Sequence, residues 1–148
     1  MSEFKHLLSV CREVKELVDD DWREAIEEML NEADDFEYSG YRFIHKQAID
    51  RIQQEELESD PHILGCFNAS FLAEILGTST QAIEAIQEAE AYEGLGEMII
   101  SGGHIEELQE DYAAADGYGH YFAHYDGCTN ELHLGKLMYP DYYYFKVN

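Results

Sequence analysis

The segment FLAEILGTSTQAIEAIQEAEAYEG, residues 71–94, has the spacing of two short helices joined by a glycine turn. Ala73 is small enough for two helices to approach closely, and Gly77 permits a left-handed backbone at the turn. Ile83 and Ile86 follow at positions that would seal the second helix against the first. The segment therefore predicts a packed helix pair with its turn at Gly77.

This pair resembles the DNA-binding unit of helix-turn-helix repressors in geometry, but its charge is opposite to what DNA binding requires. A helix that reads DNA needs donors for base edges and Lys or Arg for phosphates. The second helix offers Gln81, Glu84, Gln87 and Glu88 instead. Phosphates repel carboxylates, so we expect the pair to act as a scaffold and not to bind DNA.

The lack of basic residues extends far beyond this pair. Residues 52–135 contain no Lys or Arg, and the whole chain carries a net charge of −23 from 32 acidic and 9 basic residues. Ordinary surfaces mix both signs. The 45% hydrophobic content is sufficient for a core, which argues against disorder. Nucleic acid and anionic membranes are poor direct partners for such a chain, whereas a basic protein surface is a good one.

The length of 148 residues suits a single domain spanning residues 1–148. Cys11, Cys66 and Cys128 are odd in number and form no C-x-x-C pair, so neither a disulfide framework nor a zinc ribbon is indicated. No apolar run is long enough to cross a bilayer, and the charged N-terminus is unlike a signal peptide. We expect a soluble cytoplasmic protein without a cofactor, either monomeric or a homodimer.

Residues 1–116 are mainly helical by their apolar periodicity, and five to six helices are predicted. Asp20 is a candidate N-cap for a helix that begins near Trp22. Asp60 and Pro61 predict the start of another helix, which we expect to continue to Gly77. Thr78, with a glutamine three residues later, predicts a capping box for the helix that follows.

Strand-like composition concentrates in residues 117–148, although YRFIH (residues 41–45) also has it. The alternating segment YGHYFAHYDG (118–127) predicts one strand, ELHLG (131–135) a middle strand, and YYYFKVN (142–148) a last one. The fold class predicted is α+β, with a helical body and a small C-terminal antiparallel sheet.

Carboxylates at helical spacing place a negative charge on every turn, about 5.4 Å apart, which is comparable with the phosphate density of duplex DNA. A rigid body covered in this way can occupy a DNA-binding groove on another protein. The predicted partner-binding carboxylates are those of Asp19, Asp20, Asp21, Glu24, Glu27, Glu28, Glu55, Glu56, Glu58, Asp60, Glu84, Glu88, Glu90, Glu93, Glu97, Glu106, Glu107, Glu110 and Asp111.

In size and charge the chain resembles the small acidic proteins that bacteriophages and mobile elements use as DNA mimics. The pattern GYGHYFAHYDG and YYYFKVN also looks like the ending of uncharacterised phage proteins. The resemblance implies a non-enzymatic inhibitor in the host cytoplasm. Its partner would be a basic DNA-binding protein of the host, such as a restriction enzyme, a CRISPR effector, another nuclease or a regulator.

Two other functions are open. The helix pair and the aromatic C-terminal region could form a protein–protein adaptor, in which Tyr142, Tyr143 and Tyr144 would contact a regulator. Alternatively, the acidity could be an adaptation to brine, in which case the protein would unfold without molar salt.

Metal binding and catalysis find little support in the sequence. His120, His124 and His133 suggest a metal site, but on a strand His120 and His124 would be too far apart to share a tetrahedral zinc ion. No nucleophile elbow, phosphate-binding loop or calcium loop is present. We therefore expect neither a metal site nor an enzyme.

Overall fold

A computed structural model describes residues 2–135 and 141–148, and it confirms the α+β class. In chain order the elements are α1 (Ser2–Val18), a 3-10 helix (Asp19–Asp21), α2 (Trp22–Leu30), β1 (Asp35–Tyr38), β2 (Tyr41–His45), α3 (Ile49–Glu58), α4 (Pro61–Gly65), α5 (Ala69–Leu76), α6 (Thr80–Glu88), α7 (Tyr92–Ser101), α8 (Ile105–Asp116), α9 (Tyr118–Phe122), β3 (Asn130–Leu132) and β4 (Tyr142–Lys146).

The chain divides into two compact units. The sheet unit comprises Met1–Ile49 and Asp116–Asn148, and the helical unit comprises Asp50–Ala115. The single domain expected from the chain length stays a prediction, since two compact units can belong to one domain. No helix in the described ranges has the length and apolar character needed to cross a bilayer.

The sheet unit is built around a four-stranded antiparallel sheet of order β1-β2-β4-β3. One face packs against the hairpin of α1 and α2, where Val14 and Met29 are fully buried beside Phe43 and Tyr142. The Tyr142 hydroxyl donates to the carbonyl oxygen of Ala33 at 2.6 Å, which satisfies the phenol inside the core. Acidic residues at the α1–α2 turn form a 3-10 helix, and no side chain caps α2 there, so the cap predicted at Asp20 is wrong.

The opposite face of the sheet packs against α9. Phe122 lies 5.1 Å from Phe145 between ring centroids, and Tyr118 lies 5.3 Å from Tyr143. The strand predicted over residues 118–127 is therefore wrong, because four-residue spacing places Tyr118 and Phe122 on one face of a helix. Gly119 allows this helix to pack closely against residue 127, since a Cβ on Gly119 would lie only 2.3 Å from the carbonyl oxygen of Gly127.

The sheet is not confined to residues 117–148, because β1 and β2 contribute half of its strands. The segment ELHLG enters the sheet only as the short edge strand β3, so its predicted middle position is wrong. β2 and β4 are the inner strands, with Phe43 opposite Tyr144 and His45 opposite Tyr142.

Residues 2–116 form eight α-helices, more than the five to six predicted, in part because one long predicted helix is interrupted. The helix expected from Pro61 to Gly77 breaks after Gly65, and the Asn68 side chain then caps α5 by accepting from the backbone N–H groups of Ser70 and Phe71. Gln87 reinforces this break, since its amide donates to the carbonyl oxygens of Gly65 and Phe67 at 3.0 and 2.8 Å.

The helix pair predicted from residues 71–94 is confirmed as α5 and α6. Gly77 has a φ of +67° at the turn, and Ala73 and Ile83 are buried between the helices. The cap differs from the prediction, because the hydroxyl of Ser79, not that of Thr78, accepts from the backbone N–H of Ala82. Serine at this position stabilises the first turn of α6.

Candidate functional site: carboxylate-rich surfaces

Charge is distributed unequally between the two units. The helical unit carries fifteen acidic residues against a single basic one, Arg51. The sheet unit carries seventeen acidic residues and the other eight basic ones. The base-free span noted in the sequence therefore corresponds largely to one compact body, which has the more negative net charge of the two units.

The predicted partner-binding carboxylates lie at the surface. Six of them belong to the sheet unit and thirteen to the helical unit. Four are half-buried, and the other fifteen are exposed. The half-buried ones are Asp21, Glu28, Glu56 and Asp60.

Several carboxylates in the helical unit repeat along single helix faces. Glu84 and Glu88 are one turn apart on α6, and Glu93 and Glu97 are one turn apart on α7. On α8 two such pairs run side by side, Glu106 with Glu110 and Glu107 with Asp111. Each pair destabilises its helix slightly through like-charge repulsion. The pattern thus opposes local stability.

Few of these carboxylates are neutralised. Arg51 pairs with Glu55 at 3.2 Å, and the His104 ring lies 3.9 Å from Glu107. Within residues 2–135 and 141–148, nine of the predicted carboxylates in the helical unit make no ion pair: Glu58, Glu84, Glu88, Glu90, Glu93, Glu97, Glu106, Glu110 and Asp111. Their charges are therefore available to an external cation.

The fold brings together some carboxylates that are distant in sequence. Glu55 and Glu58 of α3 share a groove of about 380 Å³ with Glu106 at the start of α8. Ile100 and Ile105 supply apolar walls to this groove. Arg51 also lines the groove and pairs with Glu55, so Glu58 and Glu106 are the carboxylates there that remain available to a cation.

Two predicted site residues have structural roles. The Asp60 carboxylate caps α4 by accepting from the backbone N–H of Ile63 at 3.2 Å. The Asp21 carboxylate accepts from the Ser39 hydroxyl at 2.8 Å. Their removal would disturb local structure, so they are poor positions for testing partner binding.

Carboxylates also converge around Tyr38, a residue that the sequence analysis did not single out. Burial, and after it the nearby carboxylates, raise the pKa of the Tyr38 phenol. Four carboxylates act on it, all from α2 and the turn before it: Glu28, Glu24, Asp21 and Glu27. The alternation of DFEY in β1 was the only available signal for this site, since it places Phe36 and Tyr38 on one face.

Acidic residues also occupy backbone positions that favour glycine. Asp19, Glu32 and Glu90 have φ values of +51°, +58° and +57°. Glu32 and Glu90 each follow the end of a helix, and the backbone N–H of the residue after each one donates to a carbonyl oxygen in the last turn. After Glu90, this bond runs from Ala91 N to Ile86 O at 3.1 Å. Left-handed backbone costs a non-glycine residue about 1–2 kcal/mol. Glycine at these positions would therefore relieve the backbone strain.

No protein-family model, curated protein or solved structure matches this chain.

The histidines considered as metal ligands do not converge. His124 bonds through Nδ1 to the carbonyl oxygen of Val147 at 2.9 Å, while His133 lies 3.7 Å from both Glu131 and Asp141. In the part of the chain that the structure describes, no group of three or more His, Cys, Asp or Glu side chains could hold a metal ion. His120, exposed on α9, belongs to no such group.

The tyrosines of the adaptor hypothesis are part of the sheet. Tyr142 is fully buried, Tyr143 packs against Tyr118, and the Tyr144 hydroxyl donates to the Glu13 carboxylate at 3.2 Å. Alanine at these positions would remove core contacts. Such variants cannot separate loss of binding from loss of fold.

Proposed function

We propose that this protein is an acidic DNA mimic, which inhibits a basic DNA-binding protein by occupying its nucleic-acid cleft. The target class is a host defence nuclease, such as a restriction enzyme or a CRISPR effector, and inhibition requires no turnover. The observation that carries this proposal is the helical unit, in which fifteen acidic residues stand against Arg51 alone.

The physical basis is exchange of counterions. A DNA-binding cleft concentrates Lys and Arg, which gain affinity when a polyanion replaces their small anions. Carboxylates such as Glu84, Glu88, Glu93 and Glu97 repeat at one helical turn and have no ion-pair partner among the described residues. Because they are fixed on helices, their ordering upon binding loses less entropy than that of a flexible acidic tail.

The mechanism predicts a steep dependence on salt. If about four charge pairs form, affinity should fall about 100-fold between roughly 50 and 200 mM salt. Candidate targets would first be captured from host lysate on the immobilised protein, with and without excess duplex DNA. A specific target should be captured only without DNA, and its affinity should then be measured across the salt range. A target released by neither DNA nor salt would contradict the proposal.

Matched charge variants locate the surface. The double change Glu84→Gln with Glu88→Gln removes two charges from α6, whereas Glu16→Gln with Glu74→Gln removes two exposed charges outside the predicted set. Both pairs change the net charge equally, so long-range attraction falls equally. The first pair should weaken binding by about tenfold or more and lower the salt slope by about two. Equal effects of the two pairs would show that only net charge matters and would refute cleft occupation by α6.

A further inference from the structure

The outer edge of the sheet at β1 carries backbone groups that point away from the sheet. The backbone N–H of His45 donates to the carbonyl oxygen of Asp34 at 2.8 Å. In an antiparallel pair every second residue bonds to the neighbouring strand, so Phe36 is the next residue of β1 whose backbone bonds to β2. The N–H and C=O groups of Asp35 and Glu37 therefore face outward. Within residues 2–135 and 141–148 neither N–H group has a hydrogen-bond partner. Unpaired groups of this kind are a template for another strand.

Carboxylates frame this edge on both faces of the sheet. Asp35 and Glu37 are exposed on one face, where Arg42 neutralises Asp35 through two hydrogen bonds of 2.6 and 2.9 Å. On the other face, carboxylates of α2 and of the turn before it act electrostatically on the Tyr38 phenol. An added strand would alternate its side chains between these two faces. A cationic residue would therefore meet Glu37 on one face and the carboxylates that act on Tyr38 on the other.

The same arrangement disfavours a second copy of this chain as the occupant. If two β1 strands paired antiparallel about Phe36, Asp35 of one copy would lie directly opposite Glu37 of the other. Like charges directly opposite across a strand pair are destabilising. The edge is therefore protected against self-association and open to a strand of opposite charge.

We propose that β1 is a docking edge for an extended, lysine- or arginine-rich segment of a partner protein, which adds a fifth strand to the sheet. Main-chain hydrogen bonds to Asp35 and Glu37 would supply affinity, and the flanking carboxylates would select cationic side chains. This site lies in the sheet unit and does not depend on the DNA mimicry proposed for the helical unit. Either proposal can fail without the other.

Two variants at one position test the backbone contribution. Glu37→Pro and Glu37→Thr both remove the charge, but only proline removes the outward N–H, and proline is tolerated where that group faces solvent. The probe is a fluorescent peptide that alternates Lys and Val. Proline should weaken peptide binding about five- to tenfold relative to threonine, the equivalent of one lost hydrogen bond. Equal affinities of two folded variants would overturn the proposal.

A second probe needs no variant and therefore decides the matter even if Glu37→Pro fails to fold. The same peptide N-methylated at every residue keeps its charge but cannot donate main-chain hydrogen bonds. It should not bind the unmodified protein, whereas the parent peptide should slow amide hydrogen exchange at Asp35 and Glu37. Binding of the methylated peptide with similar affinity would show a purely electrostatic contact. Slow exchange in the free protein together with a dimeric mass would identify a second copy instead.

Peptide binding should be unchanged in the Glu84→Gln, Glu88→Gln variant, which separates this site from the proposed DNA mimicry.

Discussion

Gly65 of α4 contacts the backbone of Tyr92 in α7 so closely that a Cβ on Gly65 would lie 1.9 Å from the Tyr92 carbonyl oxygen. The reciprocal contact is equally close, because a Cβ on Gly96 of α7 would lie 1.8 Å from the carbonyl oxygen of Pro61 in α4. These two glycines set the distance between α4 and α7. Glycine is needed at both positions because there is no room for a side chain, and not for a turn conformation, since neither residue has a positive φ.

Alanine at the first of these contacts should be severely destabilising. We expect Gly65→Ala to lower the free energy of unfolding by about 3 kcal/mol or more, because backbone and not a flexible side chain must move. Gly94→Ala is the control on α7, since nothing lies within 4 Å of a Cβ there. It should stabilise the protein by about 0.5–1 kcal/mol through helix propensity. Urea unfolding measures both, and a mild effect at Gly65 would contradict the close approach.

Relief of backbone strain should stabilise the helix end after α6. Glu90→Gly should raise the free energy of unfolding by about 1 kcal/mol, because glycine adopts a φ of +57° without penalty. Ala85→Gly, inside the same helix, should lower it by about 1 kcal/mol. If acidity at this position serves the partner, Glu90→Gly should also weaken binding. A destabilised Glu90→Gly variant would show that the conformation is not strained.

The buried amide cluster of the helical unit should be sensitive to loss of its centre. Gln109 is fully buried, donates to Asp50 and Gln53 at 2.9 Å each, and accepts from Gln54 at 2.9 Å. Gln109→Leu should lower the free energy of unfolding by about 2–3 kcal/mol, because it deprives buried groups of partners. The exposed control Gln81→Leu should change it by no more than about 0.5 kcal/mol.

Charge reversal should separate stability from function on the acidic helices. Glu88 ends α6, where the helix dipole disfavours a carboxylate, and it lies one turn after Glu84. Glu88→Lys should therefore raise the free energy of unfolding by about 0.5–1 kcal/mol. Glu93→Lys makes the same charge change in the first turn of α7, where the dipole favours the acid, and should give no gain. Both should weaken a DNA-mimicking complex, and thermal melts with binding assays would compare them. If the two variants gained stability equally, local helix electrostatics would not be the cause.

Alkaline pH should destabilise the sheet unit through Tyr144. Burial, and after it the Glu13 carboxylate that accepts its hydroxyl hydrogen, raise the pKa of Tyr144 to about 12. The pKa of tyrosine in an unfolded chain is about 10, so the folded state binds the proton more tightly. The stabilisation is complete below about pH 10 and is lost as the pH rises toward about 12. Tyr144→Phe should flatten part of this decline in unfolding free energy, whereas Tyr125→Phe, 71% exposed, should leave it unchanged.

Local sequence patterns predicted those elements whose packing and turn are determined by residues close together in the sequence. The α5–α6 pair follows from Ala73, Gly77 and Ile83, whose positions within one short segment determine packing and turn together. The segment at α9 was ambiguous, because its aromatic residues fit both a two-residue and a four-residue period. In the folded chain Gly119 lies against the backbone of residues 127 and 128, a contact that no local pattern contains.

The candidate surfaces show the same division. Exposure of the acidic residues was predictable, since charged side chains at helical spacing rarely face a core. Their grouping was not, because Glu58 and Glu106 meet at one groove only through the packing of α3 and α8. The β1 edge was missed for a similar reason. Strand order depends on distant pairing, and β1 became an edge because β4 pairs with the other side of β2.

The charge content of the helical unit also determines how its contacts can be mapped. With Arg51 as its only basic residue, this unit has no lysine, and trypsin has no cleavage site between Arg51 and Lys136. Amine-reactive cross-linkers therefore cannot attach to side chains there. Carbodiimide coupling would instead join its surface carboxylates directly to lysines of a bound protein, and each zero-length bond would identify one residue on either side.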